Sequence, residues 1–467
     1  PLITAECDCL SDIVFPYIEP QRRDGNESLA MQPENISLPS GGSGTFYGWW
    51  IVVAGSVILF VSSGIGFYGH GVILDPLRNI HGWSKGTVSS AITLYFFLNG
   101  FIGFITGRWV DRYGPKWFLV IGALIFGSGL WALKWIDAIP QLFLLYMVMS
   151  TGFCLTSLVP INMLITNWFI RKRGLAMSIA NTGLSAGGVV LVPLMSYLIV
   201  HLGLDRALPI MGGIYMLGVI PMAVFLIKHR PSDIAQQPDG GDGNLRGRRQ
   251  VLIADGQMRM WTRRQAAKTV AFWSIALAFM LALGGQIAYL VHQVSFLGQY
   301  LGPQKAAMAV SLTAMASIAG RLVLGLFVDR CDKRHVTMAC ILTQALAVMT
   351  LAFYDHVVLL YLCTFAFGLT MGSLIMMQSL LIGECFGIPS FTAVYGTIGL
   401  CSMPGAAFGP MLAGVIFDAT QSYRLSFMLF AAASFLAVGI IYFAKPPPQP
   451  GKMDIPSTKS EILNNVE

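Results

Sequence analysis

Gly107-Arg108-Trp109-Val110-Asp111-Arg112-Tyr113-Gly114-Pro115-Lys116 is the stretch that decides the fold. It reads G-x-x-x-D-R-x-G-x-K and lies between two long apolar runs. A weaker copy stands at Gly325-Leu326-Phe327-Val328-Asp329-Arg330, with Arg334 in the place of Lys116, and each matched pair is offset by the same 218 residues. A charged turn repeated at half the chain length, between hydrophobic spans, predicts a duplicated multi-helix membrane protein. The glycine lets two helices approach closely, the aspartate marks a helix end at the membrane face, and the arginines face the cytoplasm. Gly107, Asp111 and Arg112, with Gly325, Asp329 and Arg330, are therefore candidates for gating the conformational change.

Working outward, hydrophobic residues make up 55% of the 467 and charged residues 11%, which excludes an ordinary soluble domain. A spanning helix needs roughly 20 apolar residues. Twelve stretches qualify, near 47–75, 85–107, 117–136, 139–167, 174–201, 207–228, 268–298, 304–328, 336–354, 356–383, 390–417 and 422–445. The fold class expected is an all-α integral membrane protein of twelve transmembrane helices in two pseudo-symmetric six-helix halves. The expected organisation is a flexible tail over 1–44, a first half over 45–228, a linker over 229–267, a second half over 268–445 and a tail over 446–467.

Orientation follows from the basic residues. With both termini cytoplasmic, 23 of the 30 Lys and Arg fall on the cytoplasmic side and six on the other, with Arg321 left inside a span. The net charge of +7 is thus a topology signal, and nucleic acid is not needed to explain it. The expected location is the plasma or inner bacterial membrane, with the lipid bilayer as the one large partner and a monomer sufficient for function. The first forty residues carry no apolar segment of the secretory type. Asn26-Glu27-Ser28 and Asn35-Ile36-Ser37 fit a glycosylation pattern that matters only on an extracellular tail. Of the eight cysteines, Cys154, Cys340, Cys363 and Cys401 fall in apolar spans and read as small hydrophobes; Cys7 and Cys9 read as tail thiols, and no metal site or cofactor is expected. Small residues four apart, at Gly103/Gly107, Gly183/Gly187, Gly368/Gly372 and Gly405/Gly409, predict close helix crossings.

Arg321 is the first candidate for chemistry. It lies mid-span with apolar residues on both sides, where an arginine costs about 2.5–3.5 kcal/mol and keeps its charge. Its planar fork matches a carboxylate in a water-filled cavity; a structural ion pair or snorkelling to the cytoplasmic face is the competing reading. No acidic residue sits at mid-span to neutralise it, since Asp75 and Asp418 read as span ends and Glu384 faces a loop. His70 and His292, in the outer thirds of the first and seventh spans, are candidates for carrying a proton, or else plain hydrogen-bonding groups. The glycines around His70 predict a bend or unwinding in the first span. Tyr68, Tyr95, Asn181, Tyr289, Gln378 and Tyr395 are further candidates for a cavity lining, alongside Asn99 and Gln286.

The repeated turn resembles the loops between helices 2 and 3 and between helices 8 and 9 of the major facilitator superfamily. Asn167-Trp168-Phe169-Ile170-Arg171-Lys172-Arg173-Gly174-Leu175-Ala176, followed by Gly183 and Gly187, resembles the monocarboxylate-porter and oxalate:formate-exchanger branch. So do Gly405 to Gly414, Phe417-Asp418 and Ser422-Tyr423. The resemblance covers roughly 45–445 and implies a carrier of small organic carboxylates working by alternating access, often with a proton. It places Arg321 where that branch has its substrate arginine. Ser317 stands where monocarboxylate porters often carry an aspartate, so proton coupling would fall to a histidine or to the substrate itself. The eleventh span lacks the lysine of oxalate-type exchangers, and one fixed cation suits one carboxylate. No nucleotide loop or nucleophile–base pair points to an enzyme. The expected function is a proton-coupled monocarboxylate transporter, with an organic anion exchanger and a non-transporting membrane sensor as alternatives.

Overall fold

The computed structural model describes residues 46–170, 172–234, 236–239 and 261–448. Twelve helices are long and apolar enough to cross a membrane. They are α1 (Gly48–His81), α2 (Lys85–Gly103), α3 (Pro115–Trp135), α4 (Ile139–Trp168), α5 (Gly174–Leu202), α6 (Leu204–Leu226), α7 (Val270–Leu301), α8 (Pro303–Gly325), α9 (Lys333–Phe353), α10 (Val357–Gly387), α11 (Val394–Thr420) and α12 (Arg424–Ile441). The sole strand-like feature among the described residues is an isolated bridge between Phe169 and Asp239. All-helical spans are what lipid demands, because a helix satisfies its own backbone groups.

α1 is broken where its glycines predicted. Its helix stops at Gly66 and resumes at His70, and the Phe67 and Tyr68 amides both donate to the Ser63 carbonyl. α4 is interrupted at Ser157, three residues before Pro160, which has no N–H to give. The turn after α2 is made at Gly114, whose φ of +84° is costly for a residue with a Cβ, and Pro115 then opens α3.

The glycine pairs do what their spacing promised. A Cβ on Gly183 or Gly187 of α5 would come within 2.1 Å of the Ser56 or Phe60 carbonyl of α1. The same construction recurs in the second half, where Gly405 and Gly409 of α11 meet the backbone of Met280 and Gly284 of α7 at 1.8 and 2.2 Å. In α10, Gly368 presses on Thr313 of α8. The repeat seen in the charged turns is therefore also a repeat of helix crossings.

The halves meet through α2 against α11, α5 against α8 and α1 against α7. Gly100 faces Met403, Gly188 faces Ala314, and Ser311 donates to the Val189 carbonyl at 2.8 Å. Further along, Gly71 abuts Val291 and Ser89 abuts Gly414. These contacts run from the middle of the bundle to the end away from the linker. The linker itself is fastened at both sides. Asp239 accepts from the amides of Ile170 and Lys172 (the latter at 2.7 Å), and its own amide donates to Trp168. Beyond it, the Trp261 amide donates to Ser390 of the second half at 2.6 Å.

Gly405→Val and Gly187→Val force backbone apart at these crossings and lower stability by about 1–3 kcal/mol each. Gly213→Ala, at a position inside α6 with nothing within 4 Å of the new carbon, raises it by about 0.5–1 kcal/mol. Thermal unfolding of the detergent-solubilised chain checks both.

Candidate substrate site between the halves

Arg321 lies on α8 facing α5 and α10. One terminal nitrogen donates to Ser185 Oγ of α5, in the opposite half, and to Ser317 Oγ one turn back at 3.1 Å. Its Nε is buried with no hydrogen-bond partner. Tyr68 is close enough to Ser185 and Arg321 to interact with both, and its hydroxyl makes no hydrogen bond of good geometry. Among the described residues no carboxylate pairs with Arg321. The partners are hydroxyls, which share the guanidinium protons without cancelling the charge.

Room for the guanidinium comes from α10. A Cβ on Gly372 would stand 2.3 Å from Arg321 Nε and 2.3 Å from Ser317 Oγ. Gly320, one residue before the arginine, meets the Leu369 carbonyl in the same way. The α8–α10 crossing is thus as tight as it is because small residues stand where the arginine must lie flat.

The guanidinium borders a cavity of about 500 Å³ between the halves. Phe67, Leu158, Asn162, Ser178, Asn181 and Thr182 line it from the first half; Gln286, Met371, Ile375, Ser379 and Tyr395 line it from the second. The volume lies within the roughly 300–1,000 Å³ usual for small-molecule sites. Its lining runs from mid-span residues such as Gln286 towards Ser178 and Gly325 at the linker end, while the opposite end is closed. Asn162 Oδ1, Asn181 Oδ1 and Gln286 Nε2 are buried without partners, although Gln286 Oε1 accepts from Gln344 at 3.1 Å. Unpaired polar atoms of this kind are costly in an apolar site and mark where a ligand or water is held.

Of the residues expected to form one site, Asn181 and Tyr395 share the cavity with Arg321, and Tyr68 stands beside the arginine. Five others lie elsewhere. His70 is 2% exposed in an aromatic box, its ring 4.5 Å from Tyr95 and 5.6 Å from Tyr146, and makes no hydrogen bond of good geometry. Tyr95 donates to the Gly66 carbonyl at 2.8 Å, inside the first half. Tyr289 bonds Thr364 and packs on Phe367, and Gln378 donates to Ser402. Tyr95, Tyr289 and Gln378 thus bond neighbouring helices, and none of the four lines the cavity. His292 is buried at the seam between the halves, beyond the closed end of the cavity. Ser185 and Asn162 were not singled out in the sequence. Ser178, Asn181 and Ser185 recur at helical spacing on α5, which is the signal that carried them.

The gating candidates separate likewise. Arg112 and Arg330 are exposed, and Gly325 borders the cavity. The side chains of Asp111 and Asp329, and the surroundings of Gly107, lie outside what the structure describes. In the second turn, Asp332 caps α9 and accepts from Arg334, whose hydrogen bonds hold the Asp332 carboxyl down to about 2.

A family model, the Major Facilitator Superfamily, matches residues 56–302 and again 276–460. The chain belongs to this superfamily. Among curated members, it is 22% identical over 404 residues to an oxalate:formate antiporter of Oxalobacter formigenes, covering 85% of this chain and 91% of that one. It is 25% identical over 335 residues to monocarboxylate transporter 13 of Bos taurus, covering 70% and 72%. Among solved structures, an inward-facing, occupied bacterial homologue of the lysosomal transporter Spinster superposes with a TM-score of 0.66 at 13% identity, covering 86% of this chain and 97% of that one. The twelve-helix fold, the multi-pass membrane placement and the role as a facilitator-superfamily transporter are therefore shown.

Gly372→Ala pushes the guanidinium out of its slot and weakens ligand binding at this cavity by about tenfold, or about 1.4 kcal/mol, with little loss of folded protein. Binding of candidate ligands to purified wild-type and variant protein reads this directly.

Proposed function

We propose that the chain is a proton-coupled carrier of small monocarboxylates, working by alternating access with both termini in the cytoplasm. The observation that carries this is the Arg321 guanidinium bordering the inter-half cavity with hydroxyl partners only. A permanent cation in that setting prefers an anionic ligand, and its fork suits two oxygens of one carboxylate. Ser185 and Ser317 hold the guanidinium in place. Asn162, Asn181, Gln286 and Tyr395 are the groups proposed to meet the rest of the substrate. Arg321 is the one cationic side chain among the residues lining this cavity, which supports a single carboxylate over two.

Alternation follows from the shape. The cavity reaches towards the linker end, which the distribution of lysine and arginine supports as cytoplasmic. Rocking of the halves about the site would close that end and part the other. The likeness to an oxalate:formate antiporter supports one further reading, exchange of two organic anions without a proton.

Flux into proteoliposomes separates these. Labelled lactate, pyruvate, acetate and oxalate are supplied with and without an imposed pH gradient. A proton-coupled carrier accumulates a monocarboxylate only with the gradient, acid outside. Flux that ignores the gradient and requires internal anion shows exchange. Arg321→Gln reduces flux at least about a hundredfold, the loss expected when a charge-assisted bidentate contact is removed; undiminished flux would refute the clamp.

A further inference from the structure

The first turn of α2 is capped from two sides. The leading amides of a helix have no partner within it. Ser84 accepts from the Thr87 amide at 3.0 Å, the usual service of a residue at that position. The Lys85 and Gly86 amides go elsewhere. Both donate to Asp418, near the end of α11 in the other half, one to each carboxylate oxygen, at 3.0 and 2.6 Å. A helix start favours a negative charge, and α2 has no acidic residue of its own in that turn. The charge therefore comes from across the seam.

The two helices are shaped for this contact. A Cβ on Gly86 would stand 2.8 Å from Asp418 Oδ2 and 3.1 Å from Val415 Cγ2 of α11. A Cβ on Gly414 of α11 would stand 2.7 Å from Ser89 Oγ and 2.9 Å from the Lys85 carbonyl. A glycine on each helix thus seats the other. The Lys85 side chain secures the same turn. It is 3% exposed, and its ammonium donates to Ser295 Oγ of α7 at 2.5 Å and to the Tyr423 hydroxyl at 3.2 Å, both in the other half. It also lies 3.5 Å from Asp75 Oδ1 of α1 and 3.8 Å from the centre of the Phe417 ring of α11. One turn of α2 therefore reaches the other half through its backbone and through its side chain.

We propose that Asp418 is a detachable cap, a latch that holds the end away from the linker shut and biases the carrier towards the state open at the linker end. Ser84 moves with α2, so Thr87 keeps its partner however the halves stand. Lys85 and Gly86 lose theirs when the seam parts, and the carboxylate leaves the helix start. Water then takes over these charge-assisted bonds, with less order and less strength. Contacts made in one state only weight the equilibrium towards that state by their difference in free energy. The proposal rests on the alternating access of the reading above, and on neither its carboxylate nor its proton.

Two reporters, in separate chains, read the two ends in the full protein in lipid nanodiscs. Ser196→Cys sits buried in the wall of the cleft at the latched end, and Ser178→Cys lines the cavity that holds Arg321. Maleimide labelling of each position is followed by peptide mass spectrometry, so native thiols do not interfere. Asp418→Asn turns an N–H donor towards one of the two amides and removes the charge. It raises the labelling rate at position 196 at least about fivefold and does not raise it at position 178. Gly86→Ala displaces the carboxylate with every charge still in place, and does the same although alanine favours the helix itself. Asp332→Asn, which disturbs a cap made within one half, leaves both rates as they are. A rate at position 196 that stays at the parent's value in either α2–α11 variant, or that rises together with the rate at position 178 as in a loosened fold, overturns the proposal. The two readings fail separately. Latch behaviour in a chain that carries no carboxylate sinks the substrate and spares the latch; carboxylate flux in a chain whose Asp418→Asn form labels like the parent does the reverse.

Discussion

A guanidinium that cannot shed its charge must find acceptors wherever the chain carries it, and Arg321 is carried to the middle of a bundle made for oil. Much of the surrounding structure answers to that demand. Ser317 is one turn away on the same helix; Ser185 reaches across from the other half; Gly372 gives up its side chain so that the fork can lie flat against α10. No acid is spent on it among the described residues. The result is a cation held in position by hydroxyls alone, with no carboxylate partner among the described residues, at the edge of a cavity.

The two ends of the bundle handle charge differently. At the end away from the linker acids and bases from both halves interlock, with Lys85 and Asp418 each bonded to groups across the seam. In the middle, contact between the halves is made by glycines packed on the opposite helix and by hydrogen bonds from Arg321 to Ser185 and from Ser311 to the Val189 carbonyl, with no ion pair across it among the described residues.

The fold was readable because its signals are one-dimensional. Run length gives the spans, and the offset between the charged turns gives the duplication. Arg321 stood out for the same reason, as a charge where none belongs. The lining was harder. In a helix apolar on nearly every side, spacing does not say which face turns inward, so Asn181 and Tyr395 reached the cavity while Tyr95, Tyr289 and Gln378 bonded their neighbours. Lys85, Asp75 and Asp418 read as ordinary span ends in the sequence. Their pairing is invisible there because 333 residues separate Lys85 from Asp418 along the chain, and only the docking of α2 on α11 brings them together.

The fastening of the linker bears on how the halves move. Asp239 is tied to the α4–α5 turn and Trp261 to the second half, so each described end of the linker travels with the half it is bonded to.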